Sequence, residues 1–359
     1  MRFWLLTRVV LFGSLLAATA GAGETAAPAG APEPFPAAYT PPVDPAEVMA
    51  LDPDLLRIFE TRVTARRNER QTLQQILDTL LDPGALGFVY EAHSTYDVRE
   101  TLRRRRGNCV SFALCIIALC RHFGLPAYPQ VIPLPSKWDR IGQHVVNLHH
   151  MNVRVIGSES AYLVDLRPDL VPAGEVRLRR VVPDARALAI FYSNVGFFQL
   201  VAGRADEAFA AMTQATQIDP TFADGWTNRG VLLARKGDLT AARAAFERSL
   251  ALNRRQEMAL LGLVGVLHRL GGADDLKLAA KLERRARAVR DANPYYREKL
   301  AQDARDQHDW LRAEREFKQA VRLKPDEPTF RFQWIHALRE LGRTNEADRQ
   351  QRRLDRMRQ

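Results

Sequence analysis

Residues 106–124 read RGNCVSFALCIIALCRHFG, running from Arg106 through Cys109, Cys115 and Cys120 to Gly124. Between Cys109 and Cys120 only Ser111 is polar, which predicts a helix buried on nearly every face. A Gly107-Asn108 turn opens it and Gly124 closes it. Cys109 therefore stands in the first turn. A thiol there faces unpaired N–H groups and the positive end of the helix dipole, which favours the thiolate and makes a nucleophile. Cys115 and Cys120 lie deeper in the helix, where cysteine behaves as a small apolar residue. These three are the only cysteines in 359 residues. Their spacing along one helix is poor geometry for pairing, so no disulfide framework is expected.

A thiolate nucleophile needs a base and a group that orients the base. Downstream, residues 143–156 read QHVVNLHHMNVRVI, a Gly157-Ser158 turn follows, and Ala161-Tyr162-Leu163-Val164-Asp165 comes next. Alternation of Val153 and Val155, then of Tyr162 and Val164, predicts a two-stranded hairpin. His150 opens the first strand and Asp165 closes the second, so both fall at one end of the hairpin. Cys109, His150 and Asp165 form a nucleophile, base and orienter set. His144 and His149 are rivals for the base; adjacent His149 and His150 face opposite ways on a strand, and His150 is the one in step with Asp165. A metal site on these histidines and Cys109 lacks the i, i+4 ligand spacing of a helical zinc site, and neither metal nor cofactor is expected.

The segment around Arg106-Gly107-Asn108-Cys109, Gly124-Leu125-Pro126-Ala127, His150-Met151-Asn152-Val153 and Tyr162-Leu163-Val164-Asp165 resembles the transglutaminase-like superfamily. The resemblance implies an α+β papain-like domain over residues 47–185, with Cys109 as nucleophile, His150 as general base and Asp165 as its partner. It implies attack on an amide carbonyl, by hydrolysis or by acyl transfer. The sequence departs from the family where Asn152 and Val153 stand in place of the aromatic that usually follows the histidine. The backbone N–H of Cys109 is the expected oxyanion donor. Arg103-Arg104-Arg105-Arg106 is read as a solvated face rather than a substrate clamp.

Beyond this domain the chain repeats itself with a period of 34: Tyr192 and Gly196 recur as Trp226 and Gly230, Ala208 as Ala242, and Met212 as Phe246. Ala313, Phe317 and Ala320 repeat the pattern, as do Gly342 and Ala347 nearer the end. Period and pattern resemble the tetratricopeptide repeat, implying about five helix pairs over 189–359 stacked as an all-α superhelix. Its inner face is expected to offer Ile190, Ser193, Phe197 and Leu200, then Asp224, Thr227, Val231 and Arg235, to a peptide or protein. The basic last turns read as a solvated cap.

The first twenty residues carry Arg2 and Arg8, an apolar run from Val9 to Ala18, and small residues after it. That is the pattern of a secretory signal with cleavage near residues 20–23, implying a periplasmic or secreted protein with no membrane span once the signal is removed. Residues 21–46, rich in Pro and Ala, read as a linker. The net charge of +10 favours anionic partners in general. Without aromatic interleaving or a zinc pattern, nucleic acid is not an expected partner. The residues together favour a cysteine-dependent amide hydrolase or acyl transferase whose repeats recruit a protein. The alternative is a non-catalytic interaction scaffold with a degenerate papain-like domain.

Overall fold

A computed structural model describes residues 39–64, 68–133, 139–141, 144–146, 149–170 and 179–357. The stretch read as a secretory signal and most of the expected linker lie outside these residues. The chain divides into two compact units, Met1–Pro135 with His149–Arg229, and Ser136–Leu148 with Gly230–Gln359.

The first unit opens with a 3-10 helix (Pro45–Met49), then α1 (Pro53–Arg62) and α2 (Glu69–Leu81). Asp52 and Asn68 cap the two helices through their side chains, satisfying N–H groups that the first turn leaves orphaned. α2 ends at Asp82-Pro83-Gly84, where proline cannot continue a helix. Next come β1 (Val89–Tyr90), α3 (Val98–Arg104), β2 (Arg106–Gly107) and the central helix α4 (Cys109–His122). Every residue from Cys109 to Cys120 is buried, as the sequence of the helix requires.

The main sheet is built from β3 (Ala127–Pro133), β6 (His149–Ile156), β7 (Ala161–Val164) and β8 (Arg180–Val181), in the order β7-β6-β3-β8. All its pairings are antiparallel. The intervening β4 (Asp139–Ile141) and β5 (His144–Val146) pair with each other. The expected hairpin is β6-β7, in the register Val153↔Val164. Met151, Val153 and Val155 join α4 in one hydrophobic core.

Two features depart from the boundaries read in the sequence. Residues 39–46 belong to the folded unit rather than to a linker. Tyr39 is buried, its hydroxyl donates to Asp97 Oδ2 at 2.7 Å, and its carbonyl accepts from Gln199 Nε2 at 2.6 Å. Tyr192 donates its hydroxyl to Pro42 O at 2.6 Å. These partners lie far away in sequence, which is why composition alone did not reveal the packing. The second departure concerns α5 (Asp184–Val201), the first helix of the first repeat. Its Ala187, Ala189, Phe191, Tyr192 and Val195 lie in the same core as α4. A helical repeat cannot bury both faces alone, and the papain-like domain supplies the cover at this end.

The repeat helices follow in pairs: α5 with α6 (Ala205–Ile218), α7 (Ala223–Lys236) with α8 (Leu239–Leu252), α9 (Glu257–Leu270) with α10 (Ala273–Asp291), α11 (Pro294–Asp306) with α12 (Trp310–Leu323), and α13 (Pro328–Glu340) with α14 (Thr344–Met357). α10 runs to 19 residues, where α6, α8, α12 and α14 have 14. Small residues set the approach of the helices. A Cβ on Gly196 would meet Met212 Cγ at 2.8 Å, and one on Gly230 would meet the Phe246 ring at 2.8 Å.

Candidate functional site

Cys109 owes its place to the turn before it. A Cβ on Gly107 would meet Ser111 Cβ at 2.6 Å, so glycine is what lets the incoming chain pass this close to the helix. Asn108 caps α4 by accepting from the N–H groups of Val110 and Ser111 at 3.0 and 3.2 Å. Its own side chain donates to Thr95 Oγ1 at 2.6 Å, and its backbone N–H to Ser94 O at 2.8 Å. Ser111 Oγ accepts from Tyr96 N at 2.8 Å. The start of α4 is thus laced to residues 94–96, and Cys109 is held at 9% exposure.

His150 and Asp165 meet as the hairpin predicts. His150 Nε2 and Asp165 Oδ1 are 2.7 Å apart, with side-chain exposures of 1% and 4%. Two further donors hold the carboxylate: Asn152 Nδ2 reaches Oδ2 at 2.8 Å, and Arg167 N reaches Oδ1 at 3.0 Å. With Nε2 occupied by Asp165, the nitrogen left over for another partner is Nδ1. Cys109 is the thiol close enough to act on this ring, through side-chain hydrogen bonding and through charge.

The electrostatics follow from these contacts. Burial pulls the proton affinity of His150 down, but the hydrogen bond to Asp165, the interaction with Cys109 and the charges of both outweigh it. The pKa is raised to about 9. Burial works against the charged form of Asp165 as well. The bonds from His150, Asn152 and Arg167, with the imidazole charge, prevail and hold its carboxyl below the usual range. Burial pushes Cys120 up to about 12 and Cys115 higher still, as expected of packing thiols.

The sequence marks Asn152 only as a departure from the family pattern, with no part in the site, and does not mark Tyr90 at all. Asn152 lies two residues after His150 on the same strand face, so period 2 could have found it. Tyr90 pairs with Gly107 in the parallel β1-β2 bridge. Burial first, and then the charge of Cys109, raise its phenol to about 12, which marks it as a neighbour of the thiol. The side chains of His144 and His149 lie outside the described residues.

The arginine run is paired on the surface rather than aimed at the thiol. Arg103 bridges to Asp52 at 2.7 Å, Arg104 to Glu100 at 2.8 Å and Arg106 to Glu91 at 3.5 Å. In the first repeats, Ser193 and Thr227 are buried rather than offered to a ligand. Asn228 Nδ2 donates to Ser193 Oγ at 2.8 Å, and Thr227 Oγ1 donates to Ala223 O at 3.2 Å. Among the described residues, no group of three or more His, Cys, Asp or Glu could hold a metal ion. No helix among them is long and apolar enough to cross a membrane.

A cysteine at the start of a buried helix, facing a histidine and an aspartate on adjacent antiparallel strands, has a counterpart among known families. Residues 61–155 match the model of a transglutaminase-like core. The match is to the transglutaminase-like superfamily and takes in Cys109 and His150 but stops short of Asp165. Residues 223–256, which contain α7 and α8, match the tetratricopeptide repeat. No curated protein matches the chain. Among solved structures, MamA from Desulfovibrio magneticus RS-1 is 19% identical, covering 47% of this chain and 94% of its own, with a TM-score of 0.28. YrrB, described as a tetratricopeptide-repeat protein with an unusual peptide-binding site, is 17% identical over 47% of this chain and 86% of its own, with a TM-score of 0.27. A thermophilic tetratricopeptide-repeat protein from Thermus thermophilus is 18% identical over 46% of this chain and 89% of its own, with a TM-score of 0.30.

Proposed function

We propose that the transglutaminase-like core is a cysteine-dependent amide hydrolase or acyl transferase of an exported protein, and that the repeats recruit a protein partner or substrate. The observation that carries the reading is the buried His150–Asp165 pair at 2.7 Å, with Cys109 acting on the same imidazole. Cys109 Sγ, its proton already taken up at His150 Nδ1 as the raised pKa of about 9 favours, attacks the amide carbonyl carbon. The C–N bond then breaks, the proton goes to the leaving amine, and a thioester on Cys109 is left. Water or a second amine attacks the thioester, gives its proton to His150 and releases the thiol, which takes that proton back. Asp165 holds Nε2–H throughout, so Nδ1 is the atom that faces the sulfur. The Asn108 cap engages the N–H groups of Val110 and Ser111, not that of Cys109, which makes the latter a donor for the developing oxyanion.

The test is covalent labelling. p-Nitrophenyl acetate is expected to give a burst of nitrophenol and an acetyl group on Cys109, located by mass spectrometry, at a rate about 10²-fold or more above Cys115 and Cys120. Equal labelling of the three thiols, or none at Cys109, would sink the enzymatic reading and leave the interaction scaffold. Export rests on Arg2, Arg8 and the apolar run that follows. When the full chain is expressed in a bacterium, the purified protein is expected to begin near residues 21–24. An intact Met1 on protein from the cytosolic fraction would refute export.

A further inference from the structure

The fourth and fifth helix pairs are copies offset by 34 residues, and one charged contact differs between them. Pro294 and Pro328 open α11 and α13, and Trp310 and Thr344 open α12 and α14. In the fourth pair Arg297 meets two carboxylates, Asp291 Oδ1 at 3.0 Å and Glu316 Oε2 at 2.8 Å. At the positions 34 residues later stand Arg331, Pro325 and Gln350. The arginine is kept and both carboxylates are gone. Arg331 donates instead to Gln350 Oε1 at 2.8 Å and to Pro325 O at 3.2 Å, both neutral. It is 6% exposed, and its Nε has no partner among the described residues. A buried charge normally has a counter-charge beside it, as the copy in the fourth pair does.

The changes on α14 go further in the same direction. Gln319 of α12 is replaced by Arg353. Burial, and then the charge of Arg353, hold the Arg331 guanidinium below its ordinary pKa. Arg349, Arg352, Arg353 and Arg356 follow the i, i+3, i+4, i+7 spacing of one helical face, and all four are exposed. With Asp355 they line an open cleft of about 570 Å³. Asp355 Oδ1 accepts from Gln351 Nε2 at 2.9 Å. Glu346 feels the charge of Arg349 but is held by Arg343 through both oxygens, at 2.7 and 2.8 Å. Among the described residues no carboxylate forms an ion pair with any of the four arginines. Like charges three and four residues apart on a helix repel, so an anion on this face relieves the repulsion.

We propose that this face of α14 binds an acidic peptide segment of a partner protein, whose Asp or Glu side chains take the exposed arginines while Arg331 adds its charge from the buried side. The fourth pair shows the chemistry that suits the site, because the groups lost from it are carboxylates. Arginine takes a carboxylate through two parallel N–H bonds. Met357 is the one large apolar side chain exposed on α14, too little to anchor the helix in a bilayer. The helix carries no aromatic ring on which a base could stack. The inference rests on the reading of the repeats as a recruiting element, and gives that element a place and a chemistry.

The probes are fluorescein-labelled hexaglutamate and hexaglutamine, titrated with the full chain and read by fluorescence anisotropy. Hexaglutamate is expected to bind about tenfold or more tightly. Arg352→Gln with Arg356→Gln should erase most of that preference. Arg284→Gln with Arg287→Gln removes as much charge from exposed positions of α10 and should leave the preference within about twofold. Gln350→Glu restores the fourth pair's carboxylate beside Arg331 and should weaken hexaglutamate binding. All variants are compared in chains whose circular dichroism matches wild type. Equal affinity for the two peptides, or an equal loss in the α10 control, would overturn the site. So would a stronger dependence on Arg352 and Arg356 for phosphatidylglycerol vesicles or hexathymidylate than for hexaglutamate. Delivery to the core is read separately, as acylation of Cys109 by a p-nitrophenyl ester with and without a hexaglutamate tail on a Gly/Ser linker. Selective binding with no gain in acylation refutes delivery of the acyl donor alone. Loss of selective binding refutes the cleft, whatever the acylation rate.

Discussion

Asp165→Asn is expected to slow acylation of Cys109 by about 10²–10⁴-fold, the usual worth of a positioned acid–base group. The fold should survive. Asp165 accepts three hydrogen bonds, two at Oδ1 from His150 and Arg167 and one at Oδ2 from Asn152. An asparagine can keep its oxygen at the first position and turn its amide nitrogen towards Asn152. Asn152 Oδ1 has no partner among the described residues, so that side chain can rotate its amide and accept instead. Hydrogen bonding is thereby conserved and the negative charge is what disappears. Burial, which already opposes the imidazolium, then meets less resistance, and the pKa of His150 falls from about 9. Less proton affinity at Nδ1 makes it a weaker acceptor of the thiol proton.

The same substitution has a signature in stability. A histidine whose folded pKa is raised from 6.5 to about 9 stabilises the fold fully below 6.5 and loses that contribution as pH rises through about 9. Wild type should therefore lose stability across this window, and Asp165→Asn should show a flatter profile there. Stopped-flow acylation and an NMR titration of the His150 ring check both effects. Acylation within about threefold of wild type would show that Asp165 does not support the base.

Much of this site was legible because its signals are local. The start of α4 is written in Gly107-Asn108-Cys109, and the β6-β7 hairpin in alternate apolar residues around Gly157. Both contributions come from contiguous residues, and period 2 places His150 and Asp165 at one end without knowledge of the rest. The helix pairs were legible for a related reason, since each repeats the same small and large residues at a fixed spacing. The unread parts depend on contacts between distant segments. Tyr39 reaches Asp97, a separation of 58 residues, and Gln199 at a separation of 160. Nothing in the Pro-rich stretch around it announces either partner. Ser193 and Thr227 were expected on an open groove because period alone cannot tell a groove residue from one covered by the next helix.

Phe246→Ala is expected to cost about 3–5 kcal/mol, at the upper end for a single core residue. Phe246 is 1% exposed in α8. Its ring fills the space left by Gly230 of α7 and Gly262 of α9, where an added Cβ would collide with it on either side. Those glycines have no side chains to move into a void, so the cavity can shrink only by shifting whole helices. That is why the loss should sit high in the range. The chain contains its own control at the equivalent place one repeat earlier, where Met212 lies against Gly196. Methionine is long and flexible enough to follow the same path between two helices. Phe246→Met should accordingly retain most of the stability, losing about 1–1.5 kcal/mol. Urea denaturation followed by circular dichroism distinguishes the two variants. A loss below about 1 kcal/mol for Phe246→Ala would mean that the helices close over the gap. The paired glycines would then allow close approach without depending on the ring between them.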